Sequence, residues 1–148
     1  MTTYTEIFGG GTIYPAEPTF LSLVFATDVS LVWPIEQAVA GDNIVAKIIN
    51  LHPAGAGLSV TLADAREVST GYTTSFNNKE ADTVTILDNA GGTILTVASG
   101  EVWTIYLNDN STAAGTWDIF EQGAGTSTAN AAAQEGFGII RAATPAGK

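Results

Sequence analysis

Cysteine is absent from this 148-residue chain, which excludes disulfides, thiolate nucleophiles and Cys-ligated zinc and leaves packing to hold the fold. Charge is scarce too. Asp, Glu, Lys and Arg make up 14% of residues, against about 25% in an ordinary soluble domain. Basic residues are the scarcest class, with 5 Lys and Arg against 15 acids and a formal net charge of −10. Lys47, Arg66, Lys79, Arg141 and Lys148 are scattered, so no basic stripe offsets the repulsion from phosphates, and direct nucleic-acid contact is not expected. No apolar run approaches the roughly 18 residues of a membrane span, so no membrane contact is expected. Residues 1–11 have neither the basic n-region nor the apolar h-region of a secretory signal.

Apolar side chains, by contrast, make up 45% of the chain. With so few charges to coat it, much of the folded surface must be uncharged, which is the character of an assembly interface. The length fits one self-sufficient domain.

Strand signals run through most of that length. Phe20–Ala26 and Val29–Trp33 pivot about Thr27-Asp28, and their near-continuous apolarity points to burial on both faces. Asn43–Leu51 forms another strand. In Leu58–Ala63, Leu58, Val60 and Leu62 alternate with smaller or polar residues, the pattern of a half-buried strand. Residues 64–82 read as a long polar loop with a short helical or strand segment near Asp64–Val68. Two consecutive hairpins then occupy residues 83–121. The first turns at Asp88-Asn89-Ala90-Gly91-Gly92, where Asn and Gly can supply positive φ. The second turns between Asn108 and Gly115, with Val102, Thr104 and Tyr106 on one face and Trp103, Ile105 and Leu107 on the other. About eight strands with turns at intervals of roughly 8–15 residues suit an all-β, antiparallel sandwich, most simply a jelly roll.

The ends differ from this body. Residues 1–18, broken by Gly9-Gly10-Gly11 and by Pro15 and Pro18, read as an N-terminal arm. Residues 122–148 are rich in Ala, Gly and Thr and read as a C-terminal arm, with a short helix over Ala129–Glu135 capped by Ser127 or Thr128. Three large apolar residues there would be left in water by a free tail, so the arm is expected to dock on a neighbour. The organisation is therefore an arm (1–18), a β domain (19–121) and a second arm (122–148). Candidate inter-subunit contacts are Ile7, Phe8, Ile13, Tyr14, Phe137, Ile139 and Ile140.

A search for chemistry returns no site. The lone His52 precedes Pro53 in a Gly/Ala-rich turn, and any Ser-His-Asp triad would depend on it. No Gly-x-Ser-x-Gly elbow is present. The carboxylate pairs Asp64 with Glu67 and Glu80 with Asp82 read as solvated loop charges. Asn108-Asp109-Asn110 lacks the spacing of a calcium loop and reads as a turn. Gly9-Gly10-Gly11 has no following Lys-Ser/Thr, so it is no phosphate loop. Trp33, Trp103 and Trp117, with Tyr14, Tyr72 and Tyr106, could form a sugar-stacking platform. Trp103 and Trp117 nevertheless lie in the arms of one hairpin, where cross-strand pairing or core filling is the ordinary use. No catalytic, cofactor-binding or metal residue is assigned, and the chain is expected to be no enzyme.

The segment Asp88–Ile94, then Gly100, then Tyr106–Trp117, followed by Asn130-Ala131-Ala132-Ala133 and Gly136-Phe137-Gly138-Ile139, resembles a module of tailed-phage head-decoration (cement) proteins and of the amino termini of phage tail fibres. The resemblance covers residues 72–140 and rests on turns and strands. It implies a jelly-roll-like virion protein on the capsid exterior, made in the host cytoplasm, that clamps neighbouring major capsid subunits as a homodimer or homotrimer. In fibres a long shaft follows the module, whereas this sequence ends at Lys148, which points to the decoration protein ahead of a tail-fibre or tail-adaptor domain.

Overall fold

The computed structural model describes residues 19–34 and 41–123. Within them lie ten strands: β1 (Phe20–Phe25), β2 (Val29–Val32), β3 (Asn43–Ile44), β4 (Ile48–Pro53), β5 (Ser59–Thr61), β6 (Thr73–Asn78), β7 (Val84–Leu87), β8 (Thr93–Val97), β9 (Val102–Asp109) and β10 (Thr116–Gln122), with a 3-10 turn at Ala65–Glu67. The chain is nearly all-β, as its composition predicts. One sheet has the order β1-β4-β6-β9-β10 and the other β3-β2-β5-β7-β8.

The path between the sheets is regular. The chain lays β1 in the first sheet and β2 in the second, then β4 and β5, then β6 and β7. Each pass sets its strands parallel to those of the pass before: β1 with β4 and β4 with β6 on one side, β2 with β5 and β5 with β7 on the other. Parallel neighbours cannot be joined by a hairpin and need a crossover. Here the other sheet provides it where a helix usually would. After β7 the chain reverses, and β8, β9 and β10 each add antiparallel to a neighbour.

The expectation of antiparallel pairing is thereby corrected. Among the described residues five strand pairs are parallel and three antiparallel, so both sheets are mixed, and the parallel pairs are not those of a jelly roll. Two of the antiparallel pairs, β7 with β8 and β9 with β10, are hairpins where the sequence carries turns, while β6 pairs antiparallel with β9 across the intervening β7–β8 hairpin. Four of the parallel pairs join strands of successive passes, and the fifth sets β3 beside β2.

Three element assignments also differ. Residues 43–51 divide into β3 and β4, broken at residues 45–47. Residues 73–78, expected to be loop, form β6, the central strand of the first sheet. The run 20–33 is not buried on both faces: β1 alternates, with Leu23 and Phe25 buried while Phe20 and Val24 are 58% and 76% exposed.

One continuous core lies between inward rows of the two sheets. Leu23, Phe25, Ile49, Leu51, Phe76 and Ile105 come from the first sheet and Leu31, Val60, Val84, Ile86, Leu95 and Val97 from the second. Fully burying one such side chain contributes about 1.5–3 kcal/mol. The buried polar residues are bonded: Thr74 Oγ1 donates to the Ala46 carbonyl at 2.6 Å, and Asn78 Nδ2 donates to Asp82 and Val97 carbonyls at 2.7 and 2.9 Å.

Candidate interaction surface

Register and alternation together define the outer face of the first sheet. In one row across all five strands stand Phe20, Ile48, Ser75, Thr104 and Phe120. The adjacent row is Ser22, Asn50, Asn77, Val102 and Gln122. None of these ten residues is charged. Phe20, Ile48 and Phe120 are large apolar groups at 58%, 49% and 49% exposure, and Val24 extends the apolar edge.

Between those edges lies a fixed polar band. Asn77 Nδ2 donates to Asn50 Oδ1 at 3.2 Å, the Ser75 and Thr104 hydroxyls bond at 2.8 Å, and Gln122 Nε2 donates to Thr104 Oγ1. Identical or similar amides in register on adjacent parallel strands are spaced to bond laterally, because the strands lie about 4.8 Å apart. Charges are confined to the margins. His52 Nδ1 lies 2.8 Å from Glu80 Oε1 at one end. At the other, Asp118 bonds the Tyr106 hydroxyl, and both this bond and the carboxylate's charge hold the phenol above its usual pKa.

The residues weighed for chemistry are otherwise engaged. Asp64 caps the 3-10 turn, accepting from the Arg66 backbone N–H at 2.9 Å and pairing with its guanidinium at 2.5 Å. These contacts lower its pKa and raise that of Arg66. Asp109 accepts from the backbone N–H and hydroxyl of Ser111, both at 2.9 Å, within the β9–β10 turn, and Asn110 Nδ2 donates to the Val68 carbonyl at 2.8 Å, tying that turn to the segment after the 3-10 turn. Among the described residues no group of three or more His, Cys, Asp or Glu is placed to hold a metal ion.

The tryptophans face inward. Trp33 is 1% exposed, donates from Nε1 to the Asp64 carbonyl at 2.6 Å and meets the Tyr72 ring edge-on at 4.9 Å. Trp103 and Trp117 pack against the core, with their indole N–H groups on Glu101 Oε2 and the Ala114 carbonyl. No described tryptophan is therefore presented as a stacking platform, and the aromatics facing out from the first sheet are Phe20, Tyr106 and Phe120.

The predicted contact residues Ile7, Phe8, Ile13, Tyr14, Phe137, Ile139 and Ile140 lie outside the described residues. Sequence reasoning passed over Phe20, Val24, Ile48 and Phe120. The available signal was a strand apolar in both phases, which reads equally as a fully buried strand or as one with a sticky outer face. No protein-family model, curated protein or solved structure matches this chain.

Proposed function

We propose that this chain is a structural, non-enzymatic virion protein that decorates the outer surface of a tailed-phage head and clamps neighbouring major capsid subunits. The observation that carries this reading is the broad uncharged sheet face in a chain of net charge −10, joined to the resemblance over residues 72–140. A soluble monomer with a solvated sheet face normally turns polar and charged residues outward. Here the outward rows hold Phe, Ile, Val and uncharged amides, a composition suited to contact with protein.

The connection to the flanking segments supports the clamp. β1 and β10, the first and last described strands, are the two edges of one sheet, so the chain enters and leaves the described body at opposite edges of that sheet. Segments attached there can reach two neighbours at once, and binding that forms only on an assembled shell stabilises that shell by mass action. The body supplies the rigid part, as two sheets packed face to face in a sandwich. Its neighbours on the particle are the major capsid protein and further copies of itself.

Copy number per virion, from a stoichiometric gel or a particle reconstruction, tests the reading. Hundreds of copies on heads support decoration. A few to a few dozen at the tail would replace it with a tail-fibre or adaptor attachment domain, and absence from particles would end the virion reading. Removing residues 137–148 is expected to weaken binding to particles while leaving the domain folded; unchanged occupancy would refute the role given to that arm.

A further inference from the structure

We infer that the outer face of the first sheet is a self-association surface, on which a second copy of the same face packs about a two-fold axis parallel to the strands. This inference stands independently of the virion reading, since it rests on the order of side chains across the sheet.

The row Phe20, Ile48, Ser75, Thr104, Phe120 is apolar at both ends and hydroxylic in the middle. A two-fold axis running along β6 maps the β1 position of one copy onto the β10 position of the other. Phe20 then lies over Phe120 of the second copy, in both directions, and the Ser75 hydroxyls meet at the axis. In the neighbouring row the same operation sets Ser22 over Gln122 and Asn77 over itself. An isologous contact requires a patch complementary to itself. Hydroxyls and carboxamides satisfy that requirement because each both donates and accepts.

Charge selects a second copy over a foreign partner of opposite sign. Two copies of a strongly acidic chain repel except where they meet through uncharged surface, and the ten residues of the two rows carry no charge. A basic partner would instead be met by carboxylates, which this face keeps at its margins. Lateral bonding within the polar band also fixes the side chains before contact, which lowers the ordering cost of association. Aligned sheets pack about 10 Å apart. Five strands about 4.8 Å apart and six residues long give a face of roughly 24 by 20 Å, at the small end of specific interfaces, so association should depend on concentration.

Sedimentation velocity on the full chain, from low to high micromolar, tests this. The wild type should pass from monomer to dimer. Phe120→Glu should raise the dissociation constant at least tenfold, as should Ile48→Glu, a second exposed site that guards against a folding defect in the first. Phe20→Lys combined with Phe120→Glu should associate more tightly than Phe120→Glu alone, because each lysine lies over a glutamate of the other copy. Thr96→Glu, at an exposed position of β8 in the second sheet, should leave association unchanged. A wild type monomeric throughout, a trimer, single variants that associate like wild type, or a double variant no tighter than Phe120→Glu alone would each overturn the inference.

Discussion

Asn78, at the end of β6 in the first sheet, donates from its side-chain amide to the Val97 carbonyl of β8 in the second, at 2.9 Å, from a position with 0% exposure. The same amide donates to the Asp82 carbonyl, and Asn78 Oδ1 accepts from the Glu80 backbone N–H. One side chain thus shapes the turn after β6 and ties the two sheets across the end of the core. Asn78→Asp keeps the shape but turns an oxygen toward two carbonyls in a dry site. A loss of about 3 kcal/mol is expected, which for a domain of this size lowers Tm by roughly 6–12 °C, measurable by calorimetry. A Tm within about 2 °C of wild type would remove Asn78 from this role.

Gly115, before β10, has φ +67°, and a Cβ there would lie 2.6 Å from Ala65 Cβ and 2.8 Å from Leu107 Cδ1. Alanine at this position therefore meets both a left-handed backbone, costing about 1–2 kcal/mol, and an overpacked site, costing about 1–3 kcal/mol. Gly115→Ala should lower denaturant stability by at least about 2 kcal/mol. Gly91 has φ +87°, and a Cβ there would meet nothing within 4 Å, so Gly91→Ala should cost less than Gly115→Ala. The reverse order would contradict the close approach.

Thr74 is 1% exposed and its hydroxyl donates to the Ala46 carbonyl at 2.6 Å, tying β6 to the segment that precedes β4. Thr74→Val keeps the volume and removes the donor, with an expected loss of about 1–2 kcal/mol. Thr73→Val, one residue earlier and exposed, should fall within about 0.5 kcal/mol of wild type. Equal effects from the two would show that the buried bond contributes nothing.

Tyr106 titrates above its ordinary value of 10.0 because Asp118 bonds its hydroxyl and opposes the phenolate. A folded pKa raised above the unfolded one contributes stability that is complete below the unfolded value and is lost as pH rises through the folded value. Tyrosinate absorbance on raising the pH should show one tyrosine ionising late, and Asp118→Asn should return it toward the ordinary value.

The sign reverses at Asp64, whose carboxyl is held below 3.8 by the Arg66 side chain and backbone N–H. Its contribution is present above the unfolded value and disappears as pH falls through the folded one. Asp64→Asn, which retains the capping acceptor, should flatten the acid limb of a Tm against pH curve; an unchanged limb would show the pair to be idle.

The β character and the two hairpins were legible because their signals are local. Asp88 illustrates this: Oδ1 accepts from the backbone N–H groups of Ala90 and Gly92, each at 2.8 Å, so the turn is built from adjacent residues. β6 was illegible for the opposite reason. Thr73-Thr74-Ser75-Phe76-Asn77-Asn78 has one large apolar residue, and asparagine is depleted in strands. What holds it is Ala46, Asn50, Val97 and Thr104, all distant in sequence. A weak echo runs through the repeated passes: Val29-Ser30-Leu31, Val60-Thr61-Leu62 and Val84-Thr85-Ile86 share one wording; the first and last lie within β2 and β7, and the middle one overlaps β5 at Val60-Thr61.

By itself the sequence determined that the chain is nearly all β, that its ends differ from its middle, and that packing without disulfides must hold it. Those properties follow from composition and from alternation along a strand, which need no partner to be read. Only the tertiary structure decided that the strands run in parallel passes and that Phe20, Ile48 and Phe120 share one outward row. A strand's two phases are equivalent until a second sheet covers one of them, and parallel partners are chosen by contacts between distant segments that no local signal encodes.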